Sequence, residues 1–246
     1  PISCRKRARM KALARTVGSF WHSSIGKKVL VALTGLALLL FLPGHLIGNL
    51  LVFAGKDAIN EYALWLHELG HGTVIWVARL GLLVALAVHV QLTVQLTARN
   101  RAARPSYAYP GTVQASRSSR MMIWSGLTIL AFIIYHISHF TVRLGNDYNG
   151  SAYQTVLPGH DGAVHNVYQM IIDGFSHPGN VFFYILAITL LCSHLSHGFA
   201  SVFQTLGLRS GRTKLLIKQL GWAYAVFIWI GFCSIPISIL VFGYGQ

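Results

Sequence analysis

Five apolar stretches, at about 29–53, 75–98, 121–142, 180–204 and 219–242, constrain this chain more than any other feature. Each is near the ~20 residues that cross hydrocarbon at a rise of 1.5 Å per residue. Lipid cannot satisfy exposed backbone groups, so every stretch is expected to be a helix. The fold class that follows is an all-α integral membrane bundle of five transmembrane helices. The spans account for about half of the chain, which leaves no sizeable domain outside the bilayer. A composition 54% hydrophobic and 11% charged excludes an ordinary soluble domain. Pro43 and Pro236 fall inside spans, where membrane helices tolerate them. The chain divides into a basic segment, 1–28, and a five-span body, 29–242. Its first apolar run, about 25 residues, exceeds the core of a signal peptide and is expected to be retained.

The charges lie unevenly about the spans. Of the 20 Lys and Arg residues, all but Lys56, Arg79 and Arg143 flank one side of the expected bundle. All six acids, Asp57, Glu61, Glu68, Asp147, Asp161 and Asp173, lie with those three on the other. The positive-inside rule then puts the N-terminus in the cytoplasm and the C-terminus, after five crossings, outside. The net charge of +14 is interrupted by apolar spans and does not make a nucleic-acid-binding face. Cys4, Cys192 and Cys233 are too few and too scattered for a disulfide framework or a four-cysteine metal site. The connection 143–179 reads as an ordered outer loop with a short surface helix near Val164 to Ile172.

The chemistry is in the histidines. Of twelve, His45, His89, His136 with His139, and His194 with His197 lie within the first four spans. Ionisable groups at membrane depth are costly and face a bundle interior, a cavity or a cofactor. Counting along the helices, His45 lies ~12 Å and His136 ~9 Å below the outer ends of their spans. His89 and His194 lie ~14 and ~15 Å above the inner ends of theirs. Two levels, each with imidazoles from two helices, suit two stacked b-type haems with an axial imidazole on each face. A zinc site would need three or four ligands at one depth. A proton-coupled transporter would pair its histidines with buried acids, and no acid lies in any span. An iron-sulfur cluster of the Rieske kind would need a cysteine motif that Cys192 and Cys233 do not form. His139 and His197, each three residues beyond the other histidine of its span, are alternative ligands or neighbours. Gly44 and Gly48 flank His45 and offer a smooth face for a porphyrin or for helix packing.

Several segments carry a family resemblance: Ser23-Ser24-Ile25-Gly26-Lys27-Lys28, Thr34-Gly35, Gly44-His45-Leu46-Ile47-Gly48-Asn49-Leu50, the lone His89, Tyr135-His136 and His194-Leu195-Ser196-His197-Gly198-Phe199, followed by Phe203-Gln204-Thr205-Leu206-Gly207. From about residue 20 to 242 the chain resembles the dihaem cytochrome b anchor of succinate:menaquinone oxidoreductases and quinol:fumarate reductases. The resemblance implies His45 with His136 on an outer haem and His89 with His194 on an inner one, leaving His139 and His197 as neighbours. It also implies separate flavoprotein and iron-sulfur partners, a quinone, with menaquinone preferred to ubiquinone, and a bacterial cytoplasmic membrane. The same wiring in reverse would reduce fumarate.

Glu68, near His67, His71 and Glu61, is a candidate proton donor to the quinone. Depth suggests Lys28, Ser24 and Arg99 as partners of inner haem propionates, and Arg79 or Arg143 of outer ones. The anchor of a hydrogenase or formate dehydrogenase and a transporter with structural histidines are the alternatives. The former ordinarily has four spans, and the latter predicts no visible absorption.

Overall fold

The structure, a computed structural model, describes residues 23–103 and 117–246. The rest of the basic N-terminal segment, with Cys4, and Arg104 in the second connection lie outside the described residues. Five helices are long and apolar enough to cross a membrane. They are α1 (Ser24–Leu50), prolonged by a 3-10 turn (Leu51–Ala54), α3 (Thr73–Ala102), α4 (Arg117–His136), prolonged by a π turn (Ile137–Val142), α6 (Pro178–Thr205) and α7 (Lys214–Phe242). Each expected span lies inside one of these elements, and most run several residues further at their ends. The connections add α2 (Lys56–Glu68), which the apolar pattern did not mark, and α5 (Val167–Ser176), close to the expected surface helix. The chain is nearly, not wholly, α-helical. An antiparallel hairpin of β1 (Gln154–Val156) and β2 (Ala163–His165) interrupts the connection after α4, with Thr155 opposite Val164.

Local chemistry explains the helix ends. Ser23 caps α1 by accepting from the Gly26 amide at 2.9 Å, and Asn166 caps α5 by accepting from the Gln169 amide. Gly243, at φ 66°, ends α7 in the left-handed region. The membrane-length helices alternate in direction, and α1, α6 and α7 form the packed centre. Leu39, Leu46, Leu195, Ala225 and Ile228 make one buried cluster there. Gly231 permits this: a Cβ on it would lie 2.6 Å from the Leu46 side chain. Large apolar side chains such as Leu40, Ile47, Leu80, Val84 and Phe182 are exposed on the outside, a surface compatible with lipid as the solvent.

Helices α2 and α5 cover the end of the bundle where α1 stops. Val52, Ile59, Ile171, Ile172, Phe175 and Ile239 are buried beneath them. Asn60, almost wholly buried, donates to Asn166 Oδ1 and accepts from the Tyr168 amide, both at 3.1 Å. Those bonds satisfy polar groups that would otherwise be stranded. Gly48 serves this cap: a Cβ there would meet the Tyr62 ring of α2 at 2.5 Å. It is a packing surface for α2, whereas Gly44 has open space before it.

Pro43 has no amide hydrogen to offer the Leu39 carbonyl one turn earlier. The Tyr224 hydroxyl of α7 supplies the missing bond, donating to that oxygen at 2.5 Å. Tyr224→Phe should therefore lower stability by about 1–3 kcal/mol, the cost of a buried carbonyl left unmatched. In a Pro43→Ala background the helix regains its own donor and the loss should shrink. Unfolding titrations of the four variants in one detergent give the coupling, and equal losses in both backgrounds would refute it.

Candidate functional site

The histidines of the first four spans come together as two levels. At the upper level His45 of α1 and His136 of α4 face each other, with ring centroids 5.8 Å apart and planes at 81°. Around them are Phe41, stacked on His45 at 5.1 Å, Phe232 of α7, and Phe132 with Phe140 on either side of His136. The lower level is marked by His89 of α3 against Gly35 of α1 and His194 of α6 against Gly126 of α4, each glycine ten residues before the upper histidine of its own helix.

Each of the four rings is oriented through Nδ1. His89 Nδ1 lies 3.2 Å from both the Thr34 hydroxyl and the Val31 carbonyl of α1. His194 Nδ1 lies 3.2 Å from the Ser125 hydroxyl of α4. The two devices match, because each hydroxyl is followed by a glycine against which the imidazole lies. A Cβ on Gly35 would stand 3.1 Å from His89 Cε1, and one on Gly126 3.5 Å from His194 Cε1. His45 Nδ1 is 3.4 Å from the Asn49 amide one turn on. His136 Nδ1 is 3.4 Å from the Tyr184 hydroxyl of α6. Where Nδ1 donates, as it does from His89 to the Val31 carbonyl, Nε2 is left as the ligating atom. The Asn49 amide can only donate, so its contact positions the His45 ring without leaving Nε2 free of the proton.

His139 is differently placed. It is buried, and both its nitrogens have partners: Nδ1 with Tyr184 at 3.1 Å and Nε2 with Tyr148 at 3.5 Å. The π turn begins immediately after His136, and Asn146 Nδ2 donates to the His139 carbonyl at 3.0 Å. Such turns are frequent at functional positions. Tyr184 thus serves both histidines. His197, half-buried, lies three residues beyond His194 on α6.

The donor set suits a bis-imidazole iron. Two axial imidazoles at about 2 Å from one iron hold their ring centroids about 6 Å apart, and the upper pair matches that spacing. Among the described residues no three His, Cys, Asp or Glu side chains converge on a metal position. A two-ligand centre needs no such convergence, whereas a zinc site does.

The other expected residues are less gathered. Ser24, Lys28 and Arg99 are exposed. The cation turned inward on the first turn of α1 is Lys27, 4% exposed, whose Nζ donates to Gln95 Oε1 of α3 at 2.5 Å. Neither was singled out from the sequence. The signal was there: Lys27 and His45 are eighteen residues apart, about five helical turns, and so share a face. Taking an ammonium out of water costs several kcal/mol, so its place on the inner face is not incidental. A hollow of about 310 Å³ at the same end lies between Gln204, Arg209, Ser210, Gly211 and Lys214 and contains none of the histidines.

At the opposite end Arg79 lies over the Trp76 ring, 5.2 Å from its centroid. Arg143 donates through Nη1 to Asn149, while its Nε is buried without a hydrogen-bond partner. An orphaned guanidinium N–H is a place for a carboxylate to bind. Glu68 and Glu61 are exposed on α2, and Glu68 stands at its C-terminal end. Tyr153 donates to Asp173 Oδ2 at 2.9 Å; burial foremost, and then that bond, push its hydroxyl up to about 12.

Comparisons with family models, with curated proteins and with solved structures find no match. The functional reading therefore rests on the residues and their geometry.

On β2, burial first, then Arg143 and His67, hold the His165 imidazole down at about 4. The folded hairpin keeps it neutral, while the unfolded hairpin takes a proton near the ordinary 6.5. Hairpin stability should be complete above that value and fall as pH drops from 6.5 towards 4. Amide-exchange protection factors at Thr155 and Val164 should show the decline, and His165→Asn should flatten it. An unchanged slope in the variant would assign the effect elsewhere.

Proposed function

We propose that the chain is the membrane-anchor cytochrome b subunit of a succinate:menaquinone oxidoreductase, passing electrons from an iron-sulfur subunit through two b-type haems to a quinone. The observation that carries this reading is the pairing of His45 with His136 across α1 and α4 at 5.8 Å. The second level, formed by His89 and His194, repeats the use of Nδ1 for orientation. His45 and His136 would hold the outer haem, and His89 and His194 the inner one. Haem iron supplies a one-electron couple whose potential follows axial ligation, burial and hydrogen bonding.

The protein's own part is to hold, orient and shield. Thr34, Ser125 and Tyr184 present hydroxyls to Nδ1, which sets ring orientation and the basicity of Nε2, and Asn49 positions the His45 ring. Phe41, Phe132, Phe140 and Phe232 line the upper level and keep water from it. Arg143, with Arg79, is suited to a propionate at the outer end. Glu68 is the acid this reading assigns to proton delivery at a quinone near the outer level. On this reading the charge split corresponds to an N-terminus on the cytoplasmic side and a C-terminus outside, in a bacterial cytoplasmic membrane. Flavoprotein and iron-sulfur subunits then dock at the basic inner end. Fumarate reduction uses the same residues in the opposite direction.

A dithionite-reduced minus oxidised spectrum of the purified protein, with extracted haem counted, tests the proposal. The expected result is two b-type haems per chain. His45→Ala or His136→Ala should remove one and His89→Ala or His194→Ala the other, while His139→Ala and His197→Ala keep both. If His89→Ala retained both haems, the inner assignment would fall. A colourless protein with intact helices would overturn the whole reading in favour of a transporter.

A further inference from the structure

Lys27 is a buried cation with no counter-ion among the described residues. It is 4% exposed, and the hydrogen bond of its ammonium goes to a neutral amide, Gln95 Oε1. The full sequence contains six acids, Asp57, Glu61, Glu68, Asp147, Asp161 and Asp173. All of them lie on α2, in the connection after α4 or on α5, at the end of the bundle where α1 finishes. Lys27 is on the first turn of that 27-residue helix, about 35 Å away at 1.5 Å per residue. No side-chain carboxylate among the described residues reaches Lys27.

A desolvated ammonium persists in a protein when an anion shares its site. We infer that Lys27 and Gln95 form an anion seat between α1 and α3, taking a carboxylate or phosphate oxygen from outside this chain. Gln95 Oε1 holds the ammonium in place, and the remaining Nζ hydrogens are left to donate to the incoming oxygen. Two sources carry that chemistry. One is the phosphate of an anionic lipid in the adjoining leaflet. The other is a carboxylate on the group held by His89, because Val31, which bonds His89, is one helical turn beyond Lys27 on α1. The second source rests on the haem reading, whereas the need for an anion does not.

The test uses the full chain, purified without haem, in nanodiscs of phosphatidylcholine alone or with phosphatidylglycerol. Thermal unfolding and binding of haemin and of haemin dimethyl ester, whose carboxylates are blocked, are compared for wild type, Lys27→Gln, Lys27→Arg, Gln95→Glu and the exposed Lys28→Gln. If lipid supplies the anion, phosphatidylglycerol raises the unfolding temperature of wild type and of Lys28→Gln but not of Lys27→Gln. If the bound group supplies it, wild type prefers haemin to its ester by roughly tenfold, about one charge-assisted hydrogen bond, and Lys27→Gln loses the preference. Lys27→Arg keeps whichever dependence wild type shows. Gln95→Glu supplies a carboxylate from within and abolishes either dependence without loss of fold, so the inference stays testable if Lys27→Gln fails to fold. Haemin that does not bind, with the lipid effect present, refutes the haem reading and leaves the seat standing. Haemin and ester binding equally well, with no lipid effect at Lys27, overturns the seat and leaves the haem reading intact.

Discussion

The interaction on which the bundle interior depends is the contact made at Nδ1 by His45, His89, His136 and His194. Hydrocarbon offers no partner to a ring nitrogen, so a histidine placed there must be matched by protein or by a ligand. The chain spends Thr34, Ser125, Asn49 and Tyr184 on one nitrogen of each ring. His139 shows the contrast. With Tyr184 on one side and Tyr148 on the other it is satisfied by protein alone, which makes it a structural neighbour of His136 and not its equal.

Those contacts require helices to approach closely, and small residues at chosen places make that possible. Gly35 and Gly126 let an imidazole lie against a neighbouring backbone, and Gly231 admits Leu46. Such close approach stands in for the hydrophobic driving force that lipid does not provide. The same solvent forbids stranded backbone groups. Pro43 creates one at the Leu39 carbonyl, and Tyr224 answers it from another helix. A sequence irregularity in α1 is thereby converted into a tie between α1 and α7. At the end where α1 stops, Asn60 and Asn166 perform a similar task for the cap of α2 and α5.

Much of this could be read along the chain, because a membrane helix has one rise per residue and its span is fixed by bilayer thickness. Depth is then a matter of counting, and counting put His45 level with His136. Rotation about the helix axis follows the same regularity, although depth alone pointed to Lys28 and Ser24, whereas the face shared with His45 belongs to Lys27. Helix α2 escaped because it is amphipathic and lies outside the spans. Tyr184 escaped because its meaning depends on α6 facing the turn at which α4 changes to π geometry.

The sequence by itself determined five apolar helices, the separation of acidic and basic ends, and the two levels of histidine. Each is a one-dimensional property, set by composition and by spacing along a helix of known rise. Only the tertiary structure decided which hydroxyl meets which imidazole, that Tyr184 is shared by His136 and His139, and that Lys27 faces Gln95. These contacts join residues as far apart as Lys27 and Gln95, or Ser125 and His194. No local rule relates such residues; they meet only when lateral packing has set the order and rotation of the helices.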